Sequence, residues 1–211
     1  MIRAALGADD PEVPVWASYT DVAMNVLVVL LLYLFAQAVY STITSAQLVR
    51  VRQEQKEMEQ AVMDALPPEL RRDVTVAEDG QLMRYRFADQ VLFDSGQARL
   101  KPSGEEILSD MARAFSTKVG TYSQIQVEGH TDDRPIHTAQ FDSNWELSSE
   151  RATSVVRFLQ DRSNLDPKLM SATGYSQYRP LSPANTDRDR QLNRRIEVVL
   201  VYTLQNGRAA K

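Results

Sequence analysis

The chain contains no cysteine, which removes disulfide staples, a thiol nucleophile and thiolate metal ligation together. Cysteine absence does not separate cytoplasm from periplasm, so the compartment must be argued from other features. Histidine is nearly as scarce: His130 and His137 are the only two, too few for a protein-only zinc cluster even with Asp132 and Asp133 nearby. No GxxxxGK[ST] run is present, so the backbone cradle of a nucleotide hydrolase is missing. Ser148, Asp132 and a histidine do not make a hydrolase triad, because separation along a chain says nothing about alignment in space. Positive charge is not in excess either. The 24 Lys and Arg oppose 28 Asp and Glu for a formal charge of -4, with a pI of about 5.3. Without a concentrated basic stripe to neutralise phosphates, nucleic acid is not an expected partner. The expectation is a protein without catalytic residues, metal or cofactor.

What is present is unevenly spread. The average over 211 residues, 43% hydrophobic and 25% charged, resembles a soluble protein, yet residues 22–39 read VAMNVLVVLLLYLFAQAV without a charge. About 20 helical residues at ~1.5 Å each cross a hydrocarbon core of roughly 30 Å. Trp16 and Tyr19 precede this run and Tyr40 follows it, as interfacial aromatics do. A buried core helix or a cleaved signal peptide would carry a similar run. The preceding MIRAALGADDPEVPVW, however, sets one Arg against Asp9, Asp10 and Glu12 and lacks a basic n-region. An uncleaved single-span anchor is therefore expected. Arg50, Arg52 and Lys56 after the span, against Arg3 before it, bias the carboxyl side toward the cytoplasm, although Glu54, Glu57 and Glu59 accompany them.

Asp21 stands at the amino-terminal entrance of the apolar helix. There it can be a hydrated interfacial charge, a partner in a helical assembly, or a carboxylate that alternates between protonated and ionised forms on an ion path. Asn25, four residues on, shares its face and suits a partner helix better than lipid. Residues 45–66, SAQLVRVRQEQKEMEQAVMDAL, are rich in helix formers, and Met58, Val62 and Leu66 repeat every fourth residue before Pro67 and Pro68 end the pattern. This connector reads as a solvated spacer or as a self-association segment too short for a long coiled coil.

From about residue 81, extended and helical patterns alternate: LMRYRF, a helix opened by Pro102, SQIQVEG, a helix over 144–159, KLMSATG and RRIEVVLVY. An α+β domain of roughly 120 residues is long enough for its own core. FDSGQARLKPSG at 93–104, VEGHTDDRP at 127–135, NWELSSERATSVVRFL at 144–159 and GYSQYRPLSPANT through NRRIEV occur in one order. Together they resemble the OmpA-like peptidoglycan-binding fold. The form VEGHTDDRPI with SNWELSSERA, joined to PVWASYTDVAMNVLVVLLLYLF, is similar to the MotB branch, with Asp21 where MotB-like proteins carry their membrane aspartate.

The resemblance implies a βαβαβ-type domain at 81–204, a connector and hinge at 43–80, a transmembrane helix at 18–42, a cytoplasmic segment at 1–17 and a tail at 205–211. It implies a single-pass inner-membrane protein with a periplasmic carboxyl domain, against the charge bias. Asp132 would accept the ammonium of a peptidoglycan stem, and Arg151 would offer a planar donor fork to its carboxylate. Asn144, Leu147 and Ser148 would line the same region and Arg194 would add a contact. Each has a plainer reading: Asp132 as a turn or helix cap or an internal partner of Arg151, Asn144 as helix cap, Leu147 as packing, Ser148 as a local hydrogen-bond partner, Arg194 and Arg195 as exposed charges or members of a salt bridge. Asn193 could organise the approach to the last strand. His130 is expected to fix a loop by a hydrogen bond and His137 to be solvated.

The resemblance further implies the B subunit of an ion-driven motor, homodimeric, with a multispanning MotA-like partner and Asp21 as relay. Protons are the expected ion, with sodium open. Flagellar motility is the leading output. A Zorya-type anti-phage motor subunit and a passive OmpA-like tether are the alternatives.

Overall fold

The computed structural model describes residues 15–183 and 186–203, with the side chains of 15–18 outside the description. The expected segment 1–17 thus lies outside it, apart from the backbone of its last three residues, and the tail 205–211 and the Trp16 side chain lie outside as well. The chain divides into two units, Met1–Gln47 and Leu48–Lys211.

In the first unit the described residues belong to helix α1, Val15–Ala65. Residues 15–66 contain neither glycine nor proline, so no backbone position interrupts the i to i−4 ladder until Pro67 removes an N–H and restricts the residue before it. One 18-residue window reaches a mean hydropathy of 2.3 with none of it buried. Leu30, Leu34 and Phe35 are more than half exposed. A core helix of a soluble domain would be covered, and this one is not.

The same helix behaves differently within the second unit. Val51, Gln55, Met58, Val62 and Leu66 are all buried, at helical spacing along one face. The Met58, Val62 and Leu66 stripe is therefore neither spacer surface nor a contact with a second helix. It belongs to the domain's own hydrophobic core. Gln55 Nε2 donates to the Gly80 carbonyl at 3.1 Å, which pins the helix to a turn of the sheet.

Five strands follow: β1 Val74–Asp79, β2 Leu82–Ala88, β3 Gln124–His130, β4 Met170–Gly174 and β5 Arg195–Val201, in the order β1-β2-β5-β3-β4. Only β3 and β4 pair in parallel, joined by a crossover through α4, Asn144–Arg162. This is the connection that parallel strands require. β1 lies upstream of residue 81 and forms a hairpin with β2 across a two-residue turn, where Gly80 adopts a φ of +60°. Helices α2, Asp89–Leu92, and α3, Pro102–Thr117, follow β2, and α5, Asp187–Asn193, precedes β5.

Alternation assigns the faces. Met83, Tyr85 and Phe87 of β2, Ile125 and Val127 of β3, and Ile196, Val198 and Leu200 of β5 form one core with Ile107, Met111 and Phe115 of α3 and Val155 and Leu159 of α4. Arg84, Arg86, Glu128, Arg195 and Glu197 stand at intervening positions. Glu197 accepts from Arg195 Nε at 2.6 Å, Arg86 Nε at 3.1 Å and Arg84 Nη1 at 3.1 Å. Arg84 also reaches Glu128 Oε2 at 3.0 Å. Burial opposes ionisation of Glu197, but the hydrogen bond and charge of Arg195 and the charge of Arg86 outweigh it and hold its carboxyl below the usual range.

Candidate functional site

The site is assembled at the carboxyl end of β3, where close backbone packing brings α4 against the strand. A side chain at Gly129 would overlap the Ser148 carbonyl, and one at Gly174 would overlap the Ser149 hydroxyl. The glycine of the GHTD run is thus a packing requirement. Ser143 caps α4: its Oγ accepts from Trp145 N at 3.1 Å and donates to Glu146 Oε2 at 2.5 Å. Asn144 is therefore released from capping. Its Nδ2 reaches the Arg134 carbonyl at 2.9 Å, Gln177 Oε1 at 3.0 Å and the Asp132 carbonyl at 3.3 Å, tying α4 to two loops.

A cavity of about 410 Å³ opens beside these residues, walled by Asp89, Asp132, Asn144, Leu147, Arg151 and Arg194, with Phe93 and Ile136 adding apolar surface. Of the anticipated domain residues only Ser148 is missing from the wall. Fully buried, it donates to the Trp145 carbonyl at 3.1 Å and accepts from Ser176 N at 3.1 Å. Its hydroxyl is used inside the fold.

Asp89 was not anticipated. It follows β2 directly, with a buried strand behind it and a buried Leu92 and Phe93 ahead. An acid in such a setting needs a distant cation, and that is the signal that could have exposed it. Arg151 Nη1 donates to Asp89 Oδ2 at 3.0 Å, Nε to the Gln97 carbonyl at 2.8 Å and Nη2 to the Asp94 carbonyl at 3.3 Å. Its guanidinium also lies 5.2 Å from the Phe93 ring centroid. Burial pulls Arg151 below the ordinary guanidinium range, opposed by the charge of Asp89. All three nitrogens of its fork are already engaged within the protein.

Arg194 is the more open cation, with its side chain 30% exposed. Nη1 meets Asp132 Oδ2 at 2.5 Å and Nε lies 3.6 Å from Asp89 Oδ1. Asp132 Oδ1 accepts from Arg134 N at 3.1 Å, leaving acceptor capacity on both carboxylate oxygens. Acid and guanidinium groups thus face one cavity from four segments of the chain, the arrangement that suits a zwitterionic ligand.

His130 departs from expectation. Neither ring nitrogen has a hydrogen-bond partner among the described residues. The ring stacks on Tyr175 with centroids 5.2 Å apart, and Nε2 is 3.7 Å from Glu128 Oε2. Burial lowers its pKa and favours the neutral ring, so packing rather than a polar bond holds it. His137 sits in an exposed loop with Nδ1 3.2 Å from the Asp142 carbonyl. Asn193 Oδ1 accepts from Leu181 N at 2.8 Å and Ser182 N at 3.0 Å, tying the loop at 181–182 to the entry of β5. Among the described residues no group of three or more acidic or histidine side chains is disposed to hold a metal ion.

The elements thus define an α+β domain with a mixed sheet and a charged cleft at the end of its parallel pair, in a chain that also carries an apolar helix. The OmpA family pattern matches residues 92–194, and the folded domain belongs to the OmpA/MotB family. The chain is 34% identical over 131 residues to the uncharacterized protein YtxE of Bacillus subtilis, covering 62% of this chain and 53% of that protein. It is 31% identical over 129 residues to Motility protein B of the same organism, covering 61% and 48%. It therefore spans about half the length of the curated relatives it matches. The crystal structure of a MotB-like protein from Desulfovibrio vulgaris superposes with a TM-score of 0.68 at 26% identity, covering 75% of this chain and 98% of that one.

Proposed function

We propose that this chain is the cell-wall-anchored B subunit of an ion-driven motor, held by its OmpA-like domain to a peptidoglycan stem peptide. The observation that carries the first half is the cleft, where Asp132 keeps acceptor capacity beside the partly exposed Arg194. A stem ammonium is received by Asp132, and the stem carboxylate by Arg194 with the buried charge of Arg151 behind it. Asn144 and Leu147 shape the wall, and Ser148 acts by positioning the adjoining loop. The similarity to Motility protein B supports the second half, together with Asp21 and Asn25 on the exposed face of α1.

In this reading the amino terminus is cytoplasmic and the domain periplasmic. A single helix cannot enclose a pore, so ion flow requires a multispanning MotA-like partner, and two B chains supply two Asp21 carboxylates. The gradient is the energy source, carried by protons with sodium as the competing ion. Motility is the output that the similarity to Motility protein B favours.

Ion flux through membranes holding the chain and its multispanning partner decides the relay. Asp21→Asn abolishes it, and unchanged flux would reduce the protein to a passive tether. Retention of full-length chain on stem-peptide resin tests the cleft. Asp132→Ala lowers it roughly tenfold or more, the scale of a lost charge-assisted hydrogen bond. Unaltered retention with intact near-UV dichroism removes the assignment.

A further inference from the structure

Trp145 and Tyr178 form an aromatic surface that the stem-peptide cleft does not use. Their rings stack with centroids 5.4 Å apart and an interplanar angle of 28°, yet Trp145 is 47% and Tyr178 65% exposed. Large aromatics left in solvent cost hydrophobic free energy, and adjacent exposed pairs mark contact surfaces. The rings are also held in place. Trp145 follows Asn144, and Tyr178 follows Gln177, the two residues joined by the 3.0 Å Asn144 Nδ2 to Gln177 Oε1 bond.

The loop bearing Tyr178 is fastened where it leaves β4. Tyr175 N donates to the Gly129 carbonyl at 2.8 Å, Ser176 N to Ser148 Oγ at 3.1 Å and Tyr178 N to the Tyr175 carbonyl at 3.1 Å. Ser176 adopts a φ of +50°, a left-handed conformation that non-glycine residues take up at a cost. The Arg179 guanidinium sits 3.9 Å from the Tyr175 ring centroid. The platform is therefore ordered before any ligand arrives, which reduces the entropy lost on binding.

We infer that the Trp145 and Tyr178 pair is a sugar-binding subsite that takes a pyranose ring of the glycan strand while the charged cleft takes the attached stem peptide. The inference rests on the stem-peptide reading of the cleft. An uncharged aromatic surface edged by an indole N–H and a phenol O–H matches a sugar ring, which has an apolar C–H face and a polar rim. It does not match the charged stem. Asn144 lines the cavity while holding Gln177, so the residues preceding Trp145 and Tyr178 link the aromatic pair to the cleft, and in peptidoglycan the stem peptide is bonded directly to an amino sugar.

Detergent-solubilised full-length chain carrying Trp16→Phe leaves Trp145 as the one tryptophan reporter, since the chain has two. Its fluorescence is titrated with a disaccharide-linked stem peptide and with the same stem peptide free. The linked form binds about tenfold more tightly, the scale of one aromatic stacking contact, and shifts Trp145 emission, whereas the free peptide binds without shifting it. In a parallel calorimetric titration, Tyr178→Ala erases that preference and leaves free-peptide affinity unchanged. Equal affinity for both ligands in the parent overturns the subsite while sparing the cleft. Binding of neither ligand overturns both. A change in oligomer mass on Tyr178→Ala would instead identify the surface as a contact between copies and overturn the inference.

Discussion

The domain contains two clusters of acid and guanidinium that look alike in composition and differ in what they leave unused. On the sheet face Glu197 is 2% exposed and receives three arginines. In the cleft Asp132 is 6% exposed, but it receives one arginine and one backbone N–H while the Arg194 side chain remains 30% exposed. The first cluster is filled by its own protein and the second retains bonding capacity beside a cavity. Charge count separates structure from site poorly here, whereas unspent donors and acceptors separate them well.

The comparison sharpens most in paired substitutions. Glu197→Leu strands Arg86 and Arg195 against the sheet, leaves Arg84 with Glu128 alone, and lowers unfolding free energy by about 3–5 kcal/mol, the cost of breaking a buried pair from one side. That value falls to the extent that Arg84 and Arg86, partly exposed, recover water. Stem-peptide affinity is unchanged at temperatures where the variant stays folded. Arg194→Ala inverts the ratio. Asp132 keeps the Arg134 N–H, so stability falls by about 1–2 kcal/mol, while stem-peptide affinity drops roughly tenfold or more. Urea melts and calorimetry on both variants check the pair, and equal ratios would erase the distinction between the clusters.

The sequence made the fold legible where periodicity was strong. LMRYRF, SQIQVEG and RRIEVVLVY are strands because alternate residues face one core, and the helices over 102–117 and 144–162 begin at Pro102 and beside Ser143. β1 was missed because VTVAED carries acids at its end and pairs on one side only, at the sheet edge. α5 was missed because seven residues rich in charge have no apolar stripe. The Thr186 and Asp189 capping box marks its start. The connector stripe was visible, but its partner was not, since a period names a buried face and not the surface that buries it. In the same way the residue types of the cleft could be read from motifs, while Asp89 and the engagement of Arg151 required the third dimension.

Acid probes the sheet-face cluster without mutation. His130 is buried between Tyr175 and Glu128, and burial, aided by Arg195 and opposed by Glu128 and Glu197, lowers it from an ordinary value of 6.5. Below about pH 6.5 the unfolded chain binds a proton that the folded chain resists, so stability falls as pH falls. Glu128 and Glu197 start from 4.5 and are also lowered: in each, burial is outweighed, by the His130 ring beside it and the charge of Arg84 for Glu128, and by Arg195 and Arg86 for Glu197. Their contribution is complete above about 4.5 and is lost below it, as the unfolded carboxylates protonate first. Thermal melts across pH 3–8 show two successive losses, and His130→Phe removes the upper one. A single loss in both proteins would mean that His130 gains a partner in solution and is not held neutral.

The smallest effect belongs to a third pairing that joins the cleft loop to α5. Arg190 donates Nε to Asp133 Oδ1 at 2.7 Å and Nη2 to Asp133 Oδ2 at 3.3 Å, and Arg134 Nη2 meets Asp187 Oδ1 at 2.6 Å. Asp133 and Asp187 are exposed, so water and salt compete with each bond, and surface pairs of this kind contribute little to stability. Arg190→Ala therefore leaves the unfolding midpoint in about 1 M salt unchanged and shifts it only slightly at low salt. Because α5 runs directly into Arg194, the same variant weakens stem-peptide binding by less than Arg194→Ala does, and more salt narrows the difference from the parent. A large loss of stability that persists in high salt would place this exposed pairing with Glu197, and exposure would then no longer separate the parts of the domain that hold it together from those that meet a ligand.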